Sequence, residues 1–135
     1  FTCVQDCSTI SHVPIIADGG IKYNGDVAKA LVAGASFAMV GGLFAACKDS
    51  PADVIYPGPN NRDLTGYSKR YFGSASVQSK GERKHVEGFE TLLKGNDMSF
   101  AEKLEELTQD LQSAVSYAGG EDLKAMDRVY YTINK

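Results

Sequence analysis

The sequence predicts an α/β fold built on parallel strands, and three observations predict it. Two apolar runs, Val13-Pro14-Ile15-Ile16-Ala17 and Phe37-Ala38-Met39-Val40, break at Asp18-Gly19-Gly20 and at Gly41-Gly42. A short amphipathic segment joins them. Neither run shows the apolar-polar alternation of a sheet with one wet face. Together they describe a βαβ unit whose strands are covered by helices. Its strand ends, each carrying a glycine pair, offer backbone amides to a negatively charged group.

In chain order, Phe1, Val4 and Ser8 fall on one helical face, so Phe1 to Ile10 reads as a helix feeding the strand that begins at Val13. The chain opens on Phe1 and reads as a piece of a longer one. After the first glycine pair, Lys22-Tyr23-Asn24-Gly25 forms a turn. Asp26 then sits in the first turn of a helix, where a carboxylate suits the helix dipole. Val27, Ala28, Ala30, Leu31 and Ala33 supply the apolar face of that helix, and Gly34 ends it. Ala35 to Val40 is the second strand. Leu43 to Cys47 is a short helix stopped by Asp49-Ser50-Pro51.

Residues 53–97 have a different texture. Val54-Ile55-Tyr56 and Tyr67 to Phe72 read as short strands around the loop Pro57-Gly58-Pro59-Asn60-Asn61. Gly73 to Lys84 is small, polar and charged, and reads as an excursion that buries little, a type usually functional or disordered. Further on, Ser99 and Glu102 form a capping-box pattern. Phe100, Leu104, Leu107, Leu111, Ala114 and Val115 then recur at helical spacing until Gly119-Gly120, which predicts a helix from Ser99 to Ala118. A shorter helix, Asp122 to Asp127, leads to a strand-like piece, Val129 to Ile133.

Composition narrows the function. A chain of 135 residues, 43% of them hydrophobic, suffices for one globular domain, and its net charge of -3 gives no bulk attraction to nucleic acid or membrane. No apolar run approaches the ~18 residues of a membrane span, and the N-terminus lacks the order of a signal peptide, which points to the cytoplasm. Cys3, Cys7 and Cys47 lack paired C-x-x-C spacing and nearby histidines, so they read as reduced structural thiols and no metal site is expected.

At this point the motifs carry a resemblance. Ile16-Ala17-Asp18-Gly19-Gly20-Ile21, Gly25-Asp26-Val27-Ala28-Lys29-Ala30, Gly34-Ala35 and Met39-Val40-Gly41-Gly42 resemble the phosphate-binding strands of the IMP dehydrogenase/GMP reductase family. Tyr71-Phe72-Gly73-Ser74-Ala75-Ser76, the stretch Lys80 to Gly88, and Gln109 to Ser113 with Ser116-Tyr117-Ala118-Gly119-Gly120 look more like its GMP reductase branch. The match covers nearly the whole chain, and the motifs are specific in combination.

The resemblance implies the C-terminal part of a (β/α)8 TIM barrel. That part comprises the last two βα units, a flap or lid insertion over 53–97 and terminal helices over 98–135, all within a single domain. It implies a cytoplasmic homo-oligomer, a tetramer, that uses NADPH to deaminate GMP reductively to IMP and ammonia through a covalent bond between a cysteine and purine C2. The site residues follow by position. Asp18 would take the ribose hydroxyls, with Gly19, Gly20, Gly41 and Gly42 around the phosphate, where barrels commonly hold one. Gly73, Ser74 and Ala75 would meet the base, closed over by Ser79, Lys80, Gly81, Glu82 and Arg83. Glu82 matches the catalytic glutamate, proposed to move a proton as ammonia leaves. Ser74, Ser113, Ala114, Val115 and Ser116 match cofactor-binding positions, the last four serving a neighbouring subunit.

Each assignment has a plainer reading beside it. One glycine pair alone is as well explained by turn chemistry. Glu82 among Lys80, Arg83 and Lys84 reads, without the resemblance, as a solvated loop carboxylate. Ser113 to Ser116 equally read as the end of a long helix, and His85 as a loop or packing residue. In the family that the chain resembles, the catalytic cysteine lies on a loop before the strand that starts at Val13, separated from it by the rest of a βα unit. By that resemblance Cys3 and Cys7 stand too close to the strand and Cys47 follows the second glycine pair, so none matches and this piece is expected to be inactive alone. IMP dehydrogenase, converting IMP to XMP with NAD, is the near alternative, but its longer flap with an Arg-Tyr pair has no counterpart in Ser76 to Glu87. A non-catalytic nucleotide-binding fragment is the other.

Overall fold

A computed structural model describes residues 1–56, 58, 66–74, 76–81, 88 and 90–132. The chain divides into two compact units. The first comprises Phe1–Gly41 with Leu104–Lys135, and the second comprises Gly42–Lys103.

In the first unit, helix α1 (Thr2–Ile10) precedes strand β1 (Ile16–Asp18), helix α2 (Asn24–Val32) and strand β2 (Phe37–Met39). The strands pair in parallel, Ile16 opposite Phe37, Ala17 opposite Ala38 and Asp18 opposite Met39. This is the βαβ unit that the apolar runs predict. Both strands are shorter than those runs, and they are not covered on both faces as expected. Ala17 is buried, whereas Ile16, Phe37 and Met39 are 54%, 60% and 54% exposed. The reason is alternation across a sheet of only two strands. The small Ala17/Ala38 pair occupies one face, and the large apolar side chains project from the other.

Helix α1 docks through its polar side. Ser8 Oγ lies 3.0 Å from the Ala33 carbonyl and 2.9 Å from that of Gln5. Gly34 stands at φ +96, and a Cβ there would collide with Ser8, so both backbone and packing require glycine after α2. Phe1 meets Tyr131 edge to face at 4.9 Å. The unit closes around Val115, Ala125 and Met126, against which Leu31, Val32, Leu111, Ala114 and Ala118 pack. Helix α5 (Phe100–Tyr117) and a 3-10 helix (Leu123–Arg128) supply that cluster. The second of these replaces the predicted α-helix, with Asp122 capping it through the Lys124 amide at 2.9 Å. Val129 to Thr132 form no strand, contrary to the pattern, and Tyr130 is 100% exposed; Ile133 lies outside the described residues.

The second unit holds helix α3 (Gly42–Ala45), strands β3 (Val54–Ile55) and β4 (Ser68–Phe72), helix α4 (Val77–Lys80) and strand β5 (Glu90–Lys94). The three strands form an antiparallel sheet in the order β3-β4-β5. Strand β5 was not expected. Its sequence, Glu-Thr-Leu-Leu-Lys, lacks a clean alternation, and Leu92 is 53% exposed. It is held by pairing all five residues of β4. Its exit is tight. A Cβ on Gly95 would collide with the Tyr67 ring, whose hydroxyl donates to the Asn96 carbonyl. Residues 76–81 also depart from expectation, because Ser76 is fully buried and caps α4 by accepting from the Ser79 amide at 3.3 Å.

The predicted capping box at the start of α5 is present in both directions. Ser99 N and Oγ donate to Glu102 at 2.6 and 2.8 Å, and Glu102 N donates to Ser99 Oγ at 3.3 Å. These bonds, with Lys48 at 3.3 Å, hold the Glu102 carboxyl down at about 2.

Candidate functional site

In the first unit, the parallel pairing puts the C-terminal ends of β1 and β2 side by side, so Asp18-Gly19-Gly20 and Gly41 leave the sheet at the same end. Asp18 is exposed as the last residue of β1. Gly19 and Gly20 adopt φ +86 and +76, a backbone closed to most side chains, with open space where a Cβ would stand. Conformation, not crowding, selects glycine there. The next loop is fixed by Asp26, whose carboxylate accepts from the amides of Lys22 and Tyr23 at 3.1 and 3.0 Å and from Lys29 at 2.9 Å. The bond from Lys29, followed by the two amides, pulls the Asp26 carboxyl below its ordinary range.

In the second unit, Gly42 opens α3 and Gly73 follows β4. Neither needs glycine for its own backbone: neither has a positive φ, and a Cβ on Gly42 would meet only Leu93 at an ordinary 3.9 Å. At Gly73 a Cβ would meet nothing within 4 Å among the described residues. Gly73 and Ser76 close a turn, Ser76 N donating to the Gly73 carbonyl at 3.0 Å, with Ser74 exposed on it. Ser79 is exposed on α4, Lys80 is its last residue, and Gly81 caps it at φ +67 with its amide on the Val77 carbonyl at 2.9 Å. Ala75, Glu82 and Arg83 lie outside the described residues. Before this turn, an apolar groove of about 460 Å³ is lined by Phe44, Pro51, Phe72 and Phe100 among others.

The four positions on α5 separate into two kinds. Ser113 and Ser116 are exposed one helical turn apart, and Ser113 Oγ donates to the Gln109 carbonyl at 3.0 Å. Val115 is core and Ala114 packs against it, so their side chains serve the first unit's interior. Cys47 is fully buried, its Sγ 3.6 Å from the Leu43 carbonyl, and burial pushes its thiol up. That suits a structural thiol rather than a nucleophile. Among the described residues no group of three His, Cys, Asp or Glu is placed to hold a metal, and no helix is long and apolar enough to cross a membrane.

Sequence reasoning passed over one residue. Lys69, in β4, is 1% exposed and bonded to three backbone carbonyls. The available signal was its place between Tyr67 and Tyr71, two residues away on either side and so on one face of the strand.

A parallel βαβ unit with glycine turns at the C-terminal end of its strands defines an α/β protein. The comparison with known families is specific. Residues 1–134 match the model of the IMP dehydrogenase / GMP reductase domain, and the chain belongs to that family. It is 46% identical over 134 residues to a GMP reductase of Ligilactobacillus salivarius, covering 98% of this chain and 38% of that protein. A Staphylococcus aureus GMP reductase is also 46% identical, over 94% of the chain and 37% of its own length. Among solved structures, a cysteine-to-alanine variant of GMP reductase from Trypanosoma brucei, crystallised with guanosine 5'-monophosphate, superposes with a TM-score of 0.74. It is 26% identical and is matched over 94% of this chain and 27% of its own. The chain thus spans well under half the length of these relatives.

Proposed function

We propose that the protein to which this chain belongs reduces GMP to IMP and ammonia with NADPH, and that this chain supplies the phosphate, ribose and base-lid part of the site. The single observation that carries the reading is the parallel register of β1 and β2, which brings the Asp18-Gly19-Gly20 turn, with Gly19 and Gly20 at positive φ, and Gly41 to one end of the sheet. The matching relatives bear the name GMP reductase, and the Trypanosoma brucei structure holds GMP.

In this reading the strands are part of a (β/α)8 barrel, the exposed faces of Ile16, Phe37 and Met39 being covered by its other strands. Residues 53–97 form the lid and 98–135 the terminal helices of that one domain. The amides of Gly19, Gly20, Gly41 and Gly42 donate to the phosphate, and the Asp18 carboxylate accepts from both ribose hydroxyls. Gly73, Ser74 and Ala75 meet the purine, with Ser79, Lys80, Gly81 and Arg83 closing over it. Glu82 passes a proton to the departing amino group. Bound NADPH supplies the hydride. Ser74, Ser113 and Ser116 would hold that cofactor, since exposed hydroxyls can both donate to and accept from a polar nucleotide. Ala114 and Val115 set the position of those serines. The α5 serines would serve a neighbouring subunit of a cytoplasmic homotetramer.

The test is stoichiometry in the whole protein. GMP should drive NADPH oxidation with one ammonia released per NADPH consumed. Formation of XMP from IMP and NAD, with no GMP-dependent oxidation of NADPH, would overturn the reading in favour of the dehydrogenase.

A further inference from the structure

Lys69 is the most deeply buried charged residue among those described, at 1% exposure. Its Nζ donates to the carbonyls of Ser50 at 2.9 Å, Ala52 at 3.3 Å and Lys48 at 3.4 Å, and lies 6.0 Å from the centre of the Tyr67 ring. An ammonium has three donors and no acceptor, and three carbonyls of one short segment turn toward this one nitrogen. Without a cation at that point the three oxygens would converge on nothing and repel one another. Burying a charge is costly unless its bonds are made, so the arrangement is a built one.

The two ends of this contact matter. Residues 48–52 follow α3, whose first residue is Gly42, and Lys69 lies on β4, which runs directly into Gly73 and Ser74. The segment has further ties: Lys48 N donates to the Met98 carbonyl at 3.0 Å, and Ser50 Oγ donates to the Ala45 carbonyl at 2.8 Å. Neither of these reaches β4. The Arg70 amide does bond Asp53 O at 2.9 Å, but one residue beyond the loop. The continuation of the loop also pairs with the strand, Val54 opposite Lys69 and Ile55 opposite Ser68, and Lys69 adds the side-chain tie to residues 48–52 themselves.

We infer that Lys69 is a positioning residue, a built-in monovalent cation that gathers the carbonyls of Lys48, Ser50 and Ala52 and thereby fixes Gly42 relative to Gly73 and Ser74. The inference rests on the functional reading above, in which Gly42 meets the phosphate and Gly73-Ser74 the base of one nucleotide. A ligand gripped at both ends is sensitive to the spacing of the grips, and a misplacement of about 1 Å can cost roughly a hundredfold in rate.

The experiment compares wild type, Lys69→Met and Lys69→Ala in the whole protein, measuring KM and kcat for GMP and for NADPH. Lys69→Met keeps the length of the side chain without its charge. It should raise the KM for GMP about tenfold or more and that for NADPH by less, since Ser74 is only one of the three serines given to the cofactor while Gly42, Gly73 and Ser74 all meet GMP. Lys69→Ala should lose as much, and n-propylammonium chloride should restore it severalfold where equal tetramethylammonium chloride does not. Wild-type constants in both variants would overturn the role, as would a loss of GMP and NADPH binding together that n-propylammonium leaves untouched. A wild type that does not turn over GMP defeats the functional reading itself, whereas an active wild type matched by Lys69→Met defeats only the role of Lys69.

Discussion

Val115, Ala125 and Met126 close the first unit around an apolar cluster, whereas the second buries Ser68, Lys69 and Ser76 beside Cys47. The first kind of interior is additive and non-directional: apolar area leaves water, and several neighbours share the gain. The second depends on specific donors and acceptors, since each buried polar group must find its partner or destabilise the fold. The contrast fits a division of labour in which the parallel unit provides a stable frame and the antiparallel unit holds loops in defined places.

The contrast can be attacked at its apolar end first. Met126 is 3% exposed, and Met126→Ala should cost about 2–5 kcal/mol of stability, the range for emptying a core site. Urea unfolding would read this as a lower midpoint with an unchanged slope. A cost below about 0.5 kcal/mol, the level of surface substitutions, would mean the cluster is not the first unit's core.

A smaller effect sharpens the other side. The folded-state value of Glu102 is lowered from 4.5 to about 2 by its bonds from Ser99 and Lys48. A lowered carboxyl contributes stability that is fully present above its unfolded value and lost as pH falls through the window from 4.5 to 2. The exposed carboxylate makes this contribution modest. Glu102→Gln should therefore be less stable than wild type at neutral pH, and the two melting curves should converge as the solution is acidified through that window. A constant gap across it would remove the cap from the account.

Much of the first unit was legible because its signals are periodic. Val27 to Ala33 and Phe100 to Val115 mark helices by spacing, and the Ser99/Glu102 box marks a start that the structure bears out atom by atom. The two apolar runs identify β1 and β2, though they overstate their length and cover, because the runs record where strands belong and not how many neighbours they have. The second unit was harder to read. The sequence of β5 carries no apolar alternation although its burial alternates, and β4 buries Ser68 and Lys69 next to each other, which no hydrophobic pattern announces. Lys69 illustrates the difficulty: in sequence it is one more lysine, and only the convergence of three distant carbonyls gives it a role. Of the candidate site, the glycine turns and Asp18 were visible as motifs. The distinction between Gly19-Gly20, required by a positive φ, and Gly42, not required by it, needed the backbone.

The central claim is that the glycine loops of this chain hold the phosphate of a purine nucleotide, and the most direct measurement is the affinity of the whole protein for GMP relative to guanosine. Calorimetry should find GMP bound far more tightly than guanosine, and Gly42→Val, which places a branched side chain between the α3 amides and the ligand, should collapse most of that difference. Equal affinities for GMP and guanosine in the wild type, or a Gly42→Val variant that keeps the full preference for GMP, would contradict the account.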